Sequence, residues 1–225
     1  MGIEIAIDGP SGSGKSTIAK TLAAKLGFAH IDTGAMYRAV ALHATGSGKN
    51  LDDEAAVMAT MESINIDIAY TSTGQRIFLA GDDVTEAVRT AEIGVGASIV
   101  AAYGMVRQKL VDLQRKISKS RNVVMDGRDI GTVVLPDALV KIFLTASLEK
   151  RAERRCNELS AMGLAYDFDD ILKQIEKRDF DDTNRASSPL KCAPDAVVVD
   201  TSNMSIQEAV KVIIKIIEEK GILNV

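Results

Sequence analysis

Cysteine is scarce in this chain. Its two copies, Cys156 and Cys192, form no C-x-x-C pair and are too few for a metal framework, so two reduced thiols are expected. No run of about 18 uncharged apolar residues occurs, which excludes a membrane-spanning helix. The first residues lack the basic n-region and longer apolar core of a secretory signal, so the expected location is the cytoplasm. An excess of positive charge is missing too. Lys and Arg number 27 against 31 Asp and Glu, for a net charge of −4 and a pI near 5.3. That balance gives no support to a nucleic-acid or anionic-membrane partner. A small anionic ligand remains compatible, because local arginine clusters matter more than the total. No internal repeat and no low-complexity linker is found. What is present is an ordinary globular balance, 46% hydrophobic and 26% charged over 225 residues. It suffices for a substantial core and for one domain with insertions or a small satellite.

The most informative stretch is Gly9-Pro10-Ser11-Gly12-Ser13-Gly14-Lys15-Ser16-Thr17. It fits G-x-x-x-x-G-K-[ST], the phosphate-binding P-loop. The glycines allow a tight backbone turn whose N–H groups form a concave anion site. Lys15 can reach the β- and γ-phosphates of a nucleotide, and the Ser16 hydroxyl can ligate Mg²⁺. A helix starting there adds its positive dipole end. Context supports the match. The apolar run at 3–7 reads as a buried strand, and the apolar positions 18, 19, 22, 23 and 26 have helical spacing, ended by Gly27. A glycine-rich turn matching by accident would lack that strand–loop–helix order.

Further strands are expected at 28–32, 123–126, 140–144 and 196–200. Helices are expected at about 35–44, 53–63, 90–102, 105–119, 148–161, 170–179 and 205–220. Strands alternating with helices argue for a parallel sheet covered on both faces. Between 64 and 90 the pattern changes. Alternating apolar residues around a Thr71-Ser72-Thr73-Gly74 turn read as a small antiparallel sheet inserted into the α/β order.

Four arginine-bearing stretches suggest where a second ligand sits. Thr33–Arg38 and Asp126–Asp129 follow strand ends, the edge where ligands bind in open α/β sheets. Arg178 and Arg185 lie seven residues apart, about two turns if a helix continues between them. Arg151, Arg154 and Arg155, at i, i+3 and i+4, share a helix face. Any one of these reads singly as a solvated surface arginine. As a set in an acidic chain they suit a phosphate donor brought up to a phosphate acceptor.

With these motifs in family order along nearly the whole chain, the sequence resembles the bacterial cytidylate kinases, which phosphorylate CMP and dCMP at the expense of ATP in pyrimidine nucleotide metabolism. The resemblance rests on the stretch from Ile7 to Lys15, Asp32-Thr33-Gly34-Ala35-Met36-Tyr37-Arg38, Asp126-Gly127-Arg128-Asp129-Ile130-Gly131-Thr132-Val133-Val134, and Arg178-Asp179 through Arg185. It implies a P-loop three-layer α/β fold with a central parallel sheet, a small antiparallel β insert and a helical lid. The single kinase domain would have its core at 1–63, 91–150 and 190–225, its nucleoside-monophosphate-binding insert at about 64–90, and its lid at about 151–185.

The resemblance also implies roles. Residues 9–17 would hold the ATP phosphates, with Mg²⁺ near Ser16, and Arg151 and Arg155 would close over ATP. Thr33, Tyr37 and Arg38 would lie along CMP, Arg38 on its phosphate; Thr33 stands where the family has serine and keeps the hydroxyl. Ser98, Arg107 and Asp129 would contact cytosine, whose N4 amino group suits a carboxylate acceptor. Arg128, Arg178 and Arg185 would contact phosphate and Asp182 the sugar. Lys15 with those three arginines would form the catalytic set, acting by positioning and charge neutralisation without a covalent intermediate. Asp126 or Asp32 could hold metal-bound water. His30 and His43, the only histidines, are expected to be structural or at the surface. Two rival readings are a kinase for UMP or AMP and a nucleotide-driven switch. No long exposed apolar stripe is left over, so a monomer is expected.

Overall fold

The computed structural model describes residues 2–71 and 74–222. Its centre is a five-stranded sheet of β1 (Glu4–Asp8), β2 (Ala29–Asp32), β6 (Val123–Gly127), β7 (Val140–Thr145) and β8 (Val197–Asp200). The spatial order is β2-β6-β1-β7-β8, and every neighbouring pair is parallel. Parallel pairing requires crossovers that cover both faces, and side-chain alternation along β1 sorts the two. Ile5 and Ile7 point into a cluster completed by Ile18 and Leu22 of α1 (Lys15–Leu26) and Val210, Ile213 and Ile217 of α8 (Ile206–Glu219). Ala6 joins Val111 of α5 (Gly104–Ser118) on the opposite face.

α2 (Thr33–Gly46) and α4 (Ala91–Val100) pack together in a separate cluster with Ile66, Ile77 and Leu79. Those three belong to the antiparallel sheet β3 (Ile66–Thr71), β4 (Gly74–Leu79) and β5 (Asp82–Asp83), which follows the short α3 (Glu54–Thr60). The residue-64 change of pattern is therefore a change of sheet. Ser72 and Thr73 of the expected hairpin turn lie outside the described residues.

Most element ends obey local chemistry. Gly27 stops α1 with φ 67°, and Ser205 with Glu208 makes a reciprocal capping box on α8. Two boundaries differ from expectation. α2 starts two residues early because the Asp32 carboxylate accepts from Ala35 N at 3.0 Å and caps it. The second helix of the charged hairpin, α7 (Phe168–Asn184), begins at 168 and does not stop at 179. It packs on α6 (Leu148–Ala161) through Ala152, Cys156, Ile171 and Ile175. Its extension puts Arg178 and Asp182 one turn apart on one face. After β6 the chain makes one wide π turn, Ile130–Val134, which the sequence pattern does not show. Among the described residues no helix is long and apolar enough to cross a membrane.

Candidate active site

The loop between β1 and α1 is shaped by close backbone packing. A Cβ on Gly9 would lie 2.0 Å from the Leu144 carbonyl oxygen, so the loop passes directly over the end of β7. Gly12 and Gly14 take φ 74° and 88°, a region open mainly to glycine. Residues remote in sequence hold the loop from behind. Ser13 O accepts from Thr201 Oγ1 at 3.2 Å and Arg154 Nη1 at 3.3 Å, and Ser11 O accepts from Arg151 Nη1 at 3.0 Å. Ser11 N donates to Asp179 Oδ1 at 3.2 Å, and Arg151 forms an ion pair with Asp179. Of the two arginines expected over ATP, Arg151 is thus buried as a brace between the loop, α6 and α7. Arg155 turns outward and pairs with Glu158 at 2.9 Å. Arg154, unmarked among the expected site residues, reaches the loop as well.

Lys15 is buried, its ammonium donating to Pro10 O at 2.6 Å and lying 3.4 Å from Ser13 Oγ. Burial, helped by the Arg128 charge, pushes its pKa well below the usual lysine range. At the second residue of α1, Ser16 Oγ donates to Asp126 Oδ2 at 2.6 Å, and Asp126 Oδ1 meets His30 Nε2 at 2.7 Å. His30 is therefore structural in a specific sense: it grips the carboxylate at the end of β6. His43 is buried at Nε2 without a hydrogen-bond partner among the described residues. Asp32 serves a different group, pairing with Arg38 Nη2 at 2.8 Å. Burial opposes its ionisation, but Arg38 prevails and holds the carboxyl below the usual range. Among the described residues no cluster of three or more His, Cys, Asp or Glu forms a ready-made metal cage.

Beyond Lys15 the cations converge. Asp182 Oδ2 accepts from Arg128 Nε at 2.7 Å, and Asp182 Oδ1 lies 3.3 Å from Arg185 Nη1. Arg178 lies close to Arg128 and Asp182, its Nε buried and without a partner among the described residues. Burial, and then the Arg128 charge, bring its pKa down to about 10. Arg128 goes the other way: burial opposes its charge, but Asp182 prevails and raises its pKa. An anion entering beside the buried Lys15 and Arg178 would be stabilised by both cations.

At the other end of the cluster, Arg107 forms a buried ion pair with Asp129. The Arg107 guanidinium lies over the Tyr37 ring, 5.3 Å from its centre. Burial pushes the Tyr37 hydroxyl up to about 12, so it stays a neutral donor. Arg185 feels the charges of Arg107, Asp129 and Tyr37, which makes it the link between this pair and Asp182. Thr33 Oγ1 donates to Asp126 O at 2.8 Å and fixes the start of α2 to β6. Thr17 is exposed at the mouth of the loop. Ser98 is half-buried on α4, and no hydrogen bond among the described residues draws it into the cluster.

The sequence pattern gave no role to Asp8, whose carboxylate takes Ile130 N at 2.8 Å and Gly131 N at 2.7 Å. It thereby ties the P-loop strand to the turn behind Asp129. Burial outweighs those two hydrogen bonds and lifts its pKa to about 6.

Comparison with known proteins fits this geometry. Residues 5–219 match the family model described as cytidylate kinase. A cytidylate kinase from Shouchella clausii is 48% identical over 97% of each chain. One from Thermotoga neapolitana is 46% identical over 98% of this chain and 99% of its own. A solved structure from Eubacterium ventriosum, described as uncharacterized, superposes with a TM-score of 0.52 at 16% identity, covering 96% of this chain and 98% of that one. That last likeness concerns the fold alone.

Proposed function

The chain belongs to the cytidylate kinase family, and from that premise we propose how its residues move the γ-phosphoryl group of ATP to CMP or dCMP. The observation that carries the reading is the continuity of the site. The Lys15, Arg178 and Arg128 cations run through Asp182 and Arg185 into the buried Arg107–Asp129 pair. A triphosphate fits the first end and an aminopyrimidine the second.

The amides of residues 9–17 and the Lys15 ammonium hold the ATP phosphates, Lys15 exchanging Pro10 O for a phosphate oxygen. The hard oxygen donors Ser16 Oγ and Asp126 Oδ2, 2.6 Å apart, fit a Mg²⁺ ion that keeps much of its water. An ion held there would supply positive charge against the phosphates of ATP. Arg38 and Arg128 take the CMP phosphate, and Asp182 takes the sugar. Arg107, Asp129 and Ser98 read cytosine, with Asp129 accepting from N4. Arg178 and Arg185 complete the set that aligns the acceptor oxygen with the γ-phosphorus and stabilises charge spread over the transferred group. The α6–α7 hairpin acts as the lid, with Arg155, paired to Glu158 at its surface, as its outward-facing cation. A monomeric, cytoplasmic protein without a nucleic-acid partner completes the proposal.

A coupled assay of ADP release with Mg-ATP and CMP, dCMP, UMP, AMP or GMP tests it. CMP and dCMP should turn over far faster than the others. Equal turnover of UMP or AMP would remove the cytosine assignment, and ADP release independent of any acceptor would favour a nucleotide switch.

A further inference from the structure

β2 is an edge strand, so one side of its backbone has no strand to pair with. At Asp32 that side is filled by a side chain from the inserted sheet. Gln75 Oε1 accepts from Asp32 N at 2.7 Å, and Gln75 Nε2 donates to Asp32 O at 3.3 Å. The amide presents the same donor and acceptor that a neighbouring strand would. Half-buried Gln75 is the second residue of β4. Tyr70, its cross-strand partner, lies under Arg121 of the core at 4.7 Å, and Lys20 of α1 lies against Gly74. This end of β3 and β4 is therefore fastened to the core, and Gln75 makes the directional bonds.

Asp32 also faces inward. Its carboxylate caps α2 at Ala35 N and holds Arg38 at 2.8 Å. Gln75, Asp32, Arg38 and Ser16 all line one cavity of about 310 Å³ between the inserted sheet and the core. We propose that Gln75 is a positioning residue for CMP: by completing the β2 edge at Asp32 it docks the inserted sheet and fixes Arg38 where the CMP phosphate binds. Sheet position and phosphate grip are then set together. A chain lacking the amide must spend binding energy on docking the sheet when CMP arrives. The inference rests on Arg38 serving the CMP phosphate.

The test compares Gln75→Leu, Gln75→Asn and Arg38→Met with wild type, varying CMP and ATP separately, and follows amide hydrogen exchange of β3 and β4 without CMP. Two lost hydrogen bonds lead us to expect KM for CMP to rise about tenfold in Gln75→Leu. KM for ATP and kcat at saturating CMP should stay within about twofold, since the ATP cradle is untouched. Gln75→Asn, one methylene too short to span Asp32, should behave the same way. Exchange of the β4 amides should quicken in both variants and slow again with CMP. If Arg38→Met raises KM for CMP and the Gln75 variants do not, the docking role is overturned while the Arg38 assignment stands. If neither position affects KM for CMP, the Arg38 assignment fails and the inference fails with it. Wild-type exchange rates in β4 of Gln75→Leu would likewise overturn it, as would an equal rise in KM for ATP.

Discussion

Asp182 and Arg128 are joined at 2.7 Å across the gap between α7 and the end of β6, and the same carboxylate lies 3.3 Å from Arg185. One acidic group thus compensates two arginines, with Arg178 a third cation close by. This is the main restraint on charge repulsion in the site. Ionic compensation of this kind is strongly destabilising to remove when the partners left behind are buried.

Asp182→Ala should therefore cost about 3 kcal/mol of folding stability in urea titrations. It should also raise KM for CMP, since the arginines lose their fixed spacing. A variant that unfolds at the wild-type urea midpoint would show that the arginines find other partners.

Lys15 gives the opposite pairing of effects. Its charge is buried against a carbonyl and near Arg128, so the folded state disfavours it. Lys15→Met should melt at a higher temperature than wild type, while kcat falls by about a thousandfold, as when one preorganised donor to a transition-state oxygen is lost. KM for CMP should barely move. A loss of activity that came with a lower melting temperature would point to a structural role instead.

Asp129→Ala addresses selectivity. Losing a charged acceptor for the cytosine amino group should lower kcat/KM for CMP by about ten- to a hundredfold. Turnover of UMP, which has no amino group at that position, should fall less. Selectivity retained at the wild-type ratio would place cytosine recognition elsewhere.

Asp8 predicts a pH effect. Its carboxyl is raised from 3.8 to about 6 by burial, so between those values the folded chain keeps a proton that the unfolded chain has released. Stability then falls as pH rises across this window, by about 3 kcal/mol from this group, with the full penalty present above pH 6. Asp8→Asn cannot titrate there. Its stability relative to wild type should improve by that amount between pH 4 and pH 7, read from urea midpoints. A pH-independent difference would mean that Asp8 ionises normally in the folded protein.

The loop at residues 9–17, the strands that flank it and the sheet insertion are legible in the sequence because each rests on local pattern: glycine spacing, apolar runs, alternation. The arginines on the cleft are legible as a group for a similar reason, since strand ends and helix spacing place them. Their individual tasks are less so. Arg151, Arg154 and Arg155 share a helix face by spacing, but the rotation of α6 against the loop decides which of them touches it, and that depends on long-range packing. His30 looks like any lone histidine until the pairing of β2 with β6 brings it to Asp126. Gln75 sits in an ordinary alternating strand, and its partner is backbone, which carries no sequence signal. The π turn after Asp129 is held by Leu135 N to Ile130 O at 2.7 Å, a spacing that hydrophobic periodicity does not encode.

The bracing of Ser13 by Thr201 has a consequence for how the protein comes into being. The phosphate loop leaves a ribosome before the parts that hold it: its strand pairs with β6 and β7, and its backbone is held by Asp179 and Thr201. A nascent chain therefore carries the loop's sequence long before it carries the loop's shape. Nucleotide capture becomes possible only once Thr201, 188 residues beyond Ser13, has been made. Prematurely terminated chains lacking β8 would then not withdraw ATP from the cell, and binding to an ATP analogue would report translation through β8.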